Sequence, residues 1–316
     1  MNSPALAALL PVILLIALGW SVARVNWVSR ASLRDFTNLL FLVLLPALLF
    51  RTMARVKLAE LDFAPIGIYF LSVGIVFGVT MLRFGFNTLS AARGLAHIFS
   101  NTVLIGVPLV GLAFGEQGLV ALFTLVSVHS LVILTTVTLI FELAIAREQR
   151  AAGIGAHRSL LLTVLVAVRK SILHPVPLPI LMGLVYGQLG LPIPEVVDIS
   201  LKMLGAAMGP LALLLVGATL AYTPMGAMWK PALRIAICKV VVHPLIFLAC
   251  AWALGQRGPA INIMQLLAAL PVGANVFLFT QRYKVAEDEV STSIAISTAM
   301  ALVTVPVVLA LLPHFP

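Results

Sequence analysis

Apolar residues fall along this chain in blocks of spanning length, parted by short polar stretches. The blocks run over 5–23, 36–54, 64–82, 92–114, 117–143, 173–191, 197–222, 230–255, 259–282 and 288–312. A helix needs about 20 apolar residues to cross the hydrocarbon core of a bilayer, so the pattern predicts ten membrane-spanning helices. Two polar stretches stand out, RVNWVSRASLRD (24–35) and REQRAAGIGAHR (147–158). The second divides the chain, with 1–146 before it, 147–172 as a linker and 173–316 after it. The piece SLLLTVLVAVRK (159–170) is short for a span and suits an interfacial helix or the start of the sixth block.

Composition agrees with the pattern. The chain has 316 residues, 61% of them hydrophobic and 10% charged, with mean hydropathy +1.13. Soluble domains carry about 25% charged residues, so too little polar surface remains here for a water-soluble fold. The expected class is an all-α polytopic membrane protein.

The net charge of +9 would suggest nucleic acid in a soluble chain. Here the basic residues sit between apolar blocks. With ten spans, 14 of the 20 Lys and Arg fall on one side. Five (Arg51, Arg55, Lys57, Lys202 and Arg257) fall on the other, and Lys239 lies inside a block. The positive-inside rule makes the first side cytoplasmic and puts both termini outside. The cluster at 51–57 is the misfit. Nucleic acid is not an expected partner; the bilayer is. Met1 to Pro11 lacks a basic lead-in and reads as the start of a first helix that is not cleaved.

Prolines mark an internal repeat. Pro11 and Pro175, Pro46 and Pro210, and Pro108 and Pro271 are separated by 164, 164 and 163 residues. Their flanks match loosely, LLPALLF against MGPLALLLVG and IGVPLVG against AALPVGA. A five-helix unit used twice enters the membrane from opposite sides, giving two inverted repeats.

The stretches SNTVLIGVPLVGLAFG (100–115) and LPVGANVFLF (270–279) carry helix breakers inside apolar blocks. Proline cannot donate a backbone hydrogen bond and clashes with the carbonyl four residues back. Unpaired backbone groups are tolerated at membrane depth only beside protein or a watery cavity. Broken helices at matched positions therefore predict a midplane substrate site, lined by Asn101, Thr102, Gly106, Val107, Pro108, Pro271, Gly273, Ala274 and Asn275. Asn38 is a further candidate for that lining. Half-helix N-termini and amides suit an anionic guest.

These stretches, together with FTNLLFLVLLPALLF (36–50), CKVVVHPLIFLACAWALG (238–255) and the full run from Leu270 to Val307, resemble the auxin efflux carrier family. The likeness covers essentially the whole chain, with the motifs in the expected order. It implies two inverted five-helix repeats whose fourth and ninth helices are broken and cross at prolines. Asn101 and Pro108 map to the first crossover; Pro271 maps to the second, which also holds Asn275. It further implies an elevator-type secondary transporter in the bacterial inner membrane, a homodimer. Its cargo would be a small organic anion, an auxin-like monocarboxylate or a dicarboxylate such as malonate or malate, moved in the export direction. Kinship in fold to the bile acid sodium symporters implies the alternative, a sodium-coupled anion symporter. The long cytoplasmic loop of the plant exporters is missing, and so is an obvious set of intramembrane carboxylates for sodium.

Intramembrane ionisable groups are functional candidates. Lys239 reads either as snorkelling to the interface or as a fixed positive charge on the anion route. His129 and His243 read either as neutral histidines satisfied by hydroxyls or as proton-coupling groups. His97 reads as interfacial. Asp62, Glu195 and Asp198 read as solvated loop acids. Coupling to protons or sodium is expected without any bound cofactor. No histidine pair has metal-ligand spacing, and Cys238 and Cys250 read as packing residues. An integral-membrane enzyme would need a motif such as HExxH or a nucleophile elbow, which the chain lacks. A passive channel would have no use for paired broken helices.

Overall fold

The computed structural model describes residues 4–151, 176–223 and 228–312. Eleven helical rods account for most of them: α1 (Pro4–Arg24), α2 (Ser32–Met53), α3 (Ala64–Phe84), α4 (Thr88–Ile98), α5 (Thr102–Ala151), α6 (Pro177–Gln188), α7 (Glu195–Tyr222), α8 (Trp229–Ala253), α9 (Pro259–Ala269), α10 (Asn275–Tyr283) and α11 (Glu287–Leu311). Among the described residues, α2, α3, α5, α7, α8 and α11 are long and apolar enough to cross a membrane. The chain is thus an all-helical, multi-pass membrane protein. The linker proper, with Pro175 and the short run at 159–170, lies outside the described residues.

Most apolar blocks coincide with rods, and the exceptions are informative. α5 spans two blocks, and Gly115 breaks it with φ +64, a conformation that costs glycine little. The blocks at 92–114 and 259–282 are each interrupted. The first is α4 followed by the opening of α5, and the second is α9 followed by α10.

Three prolines follow wide helical turns. Leu45 donates to the Leu40 carbonyl, Gly106 to Asn101 and His243 to Cys238, each five residues back. Pro46, Pro108 and Pro244 come soon after. A proline would leave one carbonyl unpaired and press its ring against it. Shifting the bonding register by one residue just upstream relieves both problems.

The rods pack in two groups, bridged by α5, which touches α1, α2, α6 and α7 as well as α4 and α9, and by α1 against α11. In one, α1 lies along α7, and α2 against α6 and α7. Glycine sets the spacing. A Cβ on Gly19 would overlap the Leu214 carbonyl of α7, and one on Gly217 the Ile16 carbonyl of α1. A Cβ on Gly183 or Gly187 of α6 would press in the same way on the carbonyl of Phe50 in α2 or of Ala54 just past its end. Lipid supplies no hydrophobic drive between helices, so close backbone approach of this kind is what holds them. In the other group, α3 packs on α4 and α8, α8 on α9 and α11, and α9 on α5 and α11.

The basic cluster at 51–57 has a local explanation. Arg51 donates to both Asp198 oxygens, at 2.9 and 3.1 Å, and Arg55 donates to both at 2.8 Å. Asp198, expected to be a solvated loop acid, ties α7 to α2 by this pair of arginines. One carboxylate shared by two guanidinium groups offsets part of the charge that departs from the positive-inside pattern.

Candidate functional site where the broken helices meet

Two short extended segments cross between the rods. Phe99 to Asn101 separate α4 from α5, and Leu270 to Ala274 separate α9 from α10. Ser100 and Val272 form an isolated antiparallel bridge. Asn101 N donates to the Pro271 carbonyl at 2.9 Å, and Gly273 N donates to the Phe99 carbonyl at 2.8 Å. The arms thereby satisfy each other's backbone groups in a buried setting, where Phe99, Ser100 and Val272 are shut off from the surface. Gly273 is required by the approach, since a Cβ there would sit 2.9 Å from the Phe99 ring and 3.0 Å from the Ser100 carbonyl.

This places the first break at Phe99–Asn101, ahead of the expected position at Pro108. The wide turn over Thr102–Gly106 accommodates Pro108 within a continuing helix, so the proline no longer needs to end it. The Asn101 side chain opens α5 by accepting from Leu104 N at 3.2 Å. In the second arm Pro271 does lie in the break.

A small cavity of about 30 Å³ adjoins the crossing. Asn101, Thr102, Gly273, Ala274 and Asn275 line it, with Ser100 and Phe41. Asn101 is buried, Asn275 half-buried and Ala274 exposed. Gly106 faces the second arm, where a Cβ would meet Leu270 at 3.0 Å. Val107 and Pro108 instead line a separate apolar cavity of about 480 Å³, shared with Gly205 and Gly209 of α7. Asn38 is exposed on an early turn of α2 and does not line the crossing cavity.

Behind the crossing lies a buried polar chain. Lys239 Nζ donates to the Ala268 carbonyl, at the end of α9, at 2.6 Å. The same nitrogen lies 3.4 Å from His243 Nδ1. His243 Nε2 is 3.3 Å from Ser72 Oγ, which donates to the Tyr69 carbonyl at 2.7 Å. The Tyr69 hydroxyl is 3.0 Å from Ser100 Oγ and 3.3 Å from His129 Nε2. Tyr69, Ser72, Lys239 and His243 are fully buried, and Ser100 and His129 nearly so. The second arm is tied in from α11, whose Ser297 hydroxyl accepts from Val272 N at 3.1 Å.

All three coupling candidates therefore converge on the crossing. Lys239 and His243 are four apart on α8 and share a face. Lys239 does not snorkel; it is walled in and finds a helix-end carbonyl. His129 finds its partner on α3, while its neighbour Ser127 donates to the Thr124 carbonyl of its own helix. His97, expected at the interface, is buried with Nδ1 2.9 Å from Thr80 Oγ1. Tyr69, Ser72 and Ser100 were not singled out from the sequence. The signal was present in IYFLS, where Tyr and Ser stand three apart on one face of an otherwise apolar helix.

The family model described as membrane transport protein matches residues 4–309. The chain belongs to this family, that of the auxin efflux carriers. A protein of Rhizobium meliloti (strain 1021) named "Putative malonate transporter" is 27% identical over 305 residues, which cover 94% of this chain and 92% of that one. Auxin efflux carrier component 8 of Arabidopsis thaliana is 23% identical over 66% of each chain. An uncharacterized transporter of Methanothermobacter thermautotrophicus is 22% identical over 94% and 95%. Members of the family are transporters and not enzymes. In this family member, the stretches that carried the resemblance include both arms of the crossing and the lysine behind it.

Proposed function

We propose that this family member is a secondary active transporter that moves a small carboxylate by alternating access, binding it at the crossing of the two broken helices. The observation that carries the reading is the meeting of four half-helix ends around Asn101 and Asn275. Free N–H groups and amide donors at helix starts suit a carboxylate. Malonate and auxin stand in the names of relatives, and both carry carboxylates. The expected direction is export from the cytoplasm across a bacterial inner membrane, with both termini outside.

The architecture supports an elevator. The glycine-packed group of α1, α2, α6 and α7 would serve as scaffold, and the group around the crossing would move. The apolar cavity beside Pro108 separates parts of the two and gives the motion a smooth track. Paired prolines and the reciprocal packing of α1 on α7 and α2 on α6 support two inverted five-helix repeats, ten spans in all. A homodimer formed through the scaffold completes the reading.

The polar chain supports proton coupling or charge-driven transport over sodium symport. Half-helix C-terminal carbonyls bind the coupling cation in many transporters. Here a lysine nitrogen belonging to the protein takes the Ala268 carbonyl, and histidines and a tyrosine continue from it to the first arm.

Purified protein in vesicles loaded with unlabelled malonate tests the reading. Uptake of labelled malonate by counterflow is expected, with inhibition by other small carboxylates and indifference to replacing sodium with potassium. Sodium-dependent uptake would move the assignment to the symporter alternative. Failure of every mono- and dicarboxylate to compete or to stabilise the protein would overturn it.

A further inference from the structure

A second cavity lies away from the crossing. A groove of about 300 Å³ runs between α3, α4, α8 and α11, and no residue of the crossing lines it. Val76, Val79, Ile235, Val242 and Ile246 give it apolar walls. Val79 is 57% exposed and Val242 38% exposed, so the groove opens sideways onto the lipid-facing surface.

Its rim is basic. Arg83, Arg93 and Arg234 all reach it. Arg93 is neutralised by Glu289, through bonds of 2.8 and 3.0 Å to a nearly buried carboxylate. Arg83 and Arg234 are exposed, and among the described residues neither has a carboxylate within ion-pair distance. Arg83 lies over the Phe84 ring, 5.6 Å from its centre. Both arginines fall on the side that the positive-inside pattern gives to the cytoplasm.

A long apolar slot open to acyl chains, with two exposed guanidinium groups at its rim, has the chemistry of an amphiphilic anion site. A hydrated dicarboxylate would gain nothing from such walls. We propose that this groove binds an anionic phospholipid, with one acyl chain between α3 and α8 and the phosphate at Arg83 and Arg234. Such a lipid would clip the crossing group together from outside, because it touches α3, α4, α8 and α11 at once. The inference stands whether or not the crossing carries carboxylates.

Melting of the full-length protein in detergent, with added lipid, tests it. Phosphatidylglycerol is expected to raise the midpoint by several degrees. Zwitterionic phosphatidylcholine, and inorganic phosphate at matched concentration, are expected to leave it unchanged. The double variant Arg83→Gln with Arg234→Gln should lose the shift, and so should Val242→Trp, which fills the slot and keeps both charges. Native mass spectrometry of the wild type, comparing retention of the two lipids, gives a reading that needs no variant to fold. Equal stabilisation by phosphatidylcholine, an equal shift from inorganic phosphate, or an unchanged shift in the double variant would each overturn the proposal. Displacement of the retained lipid by malonate would also overturn it, reassigning the groove to cargo.

Discussion

The contact between α1 and α7 and the crossing between α4–α5 and α9–α10 are both places where backbones nearly touch. They differ in what surrounds the contact. At α1 and α7, Gly19 and Gly217 bring two unbroken helices together through an apolar seam. At the crossing, glycine brings together two chains that have left helical geometry, and the freed groups bond to each other and to Ser297. Close approach in the first case fixes two rigid rods. In the second it exposes amides, hydroxyls and helix ends to a cavity. Glycine is shared by the two regions, and at the crossing the polar side chains of Asn101, Ser100 and Asn275 line a cavity beside it.

Breaking the seam should have the largest effect. Gly217→Leu drives a side chain into the Ile16 carbonyl, and overpacking of a rigid contact costs about 3 kcal/mol or more. The expected outcome is loss of monodisperse protein in size-exclusion chromatography. Retention of wild-type melting would show that α1 and α7 can part without harm.

Breaking the polar chain should leave the fold and remove the function. Lys239→Met strips the buried Ala268 carbonyl of its donor, a loss of about 1–3 kcal/mol. Transport is expected to fall on the order of 30- to 100-fold while the protein still inserts and elutes normally. Wild-type counterflow from this variant would reduce Lys239 to packing.

Asn101→Ala acts on the cavity itself. It should weaken carboxylate affinity about 10-fold, the effect of one lost hydrogen bond of about 1.4 kcal/mol. The melting point should move less, because Leu104 N lies at a helix start where other acceptors can reach it. Isothermal titration against a stabilising carboxylate makes the comparison. Asn38→Ala should do least of all, within about 0.5 kcal/mol in stability and with unchanged uptake, since Asn38 is exposed on α2.

Much of this was legible in the sequence because lipid imposes a coarse rule on every residue. Block length gave α1, α3, α7 and α8 to within a few residues. The breaks were legible in kind and only partly in place. Pro271 marks its break directly. Pro108 does not, because a wide turn over Thr102–Gly106 absorbs it and the chain opens earlier, at Phe99–Asn101. Nothing in a proline's own chemistry reports whether the turn before it has widened. The partners of Lys239, His129 and His243 were illegible for another reason. They come from α3 and α9, and contacts between distant helices leave no local mark. Tyr69 and Ser72 stand in an apolar run, and their partners Ser100, His129 and His243 all come from distant parts of the chain.

The central claim is that cargo binds at the Ser100–Val272 crossing and not in the larger cavity beside Pro108. Substrate protection of introduced cysteines tests it, in a background with Cys238 and Cys250 replaced by alanine. Ala274→Cys reports on the crossing cavity, and Leu112→Cys on the apolar one. The carboxylate that most raises the melting point should slow maleimide labelling of Ala274→Cys and leave Leu112→Cys unaffected. Protection at Leu112→Cys with free labelling at Ala274→Cys would contradict the account.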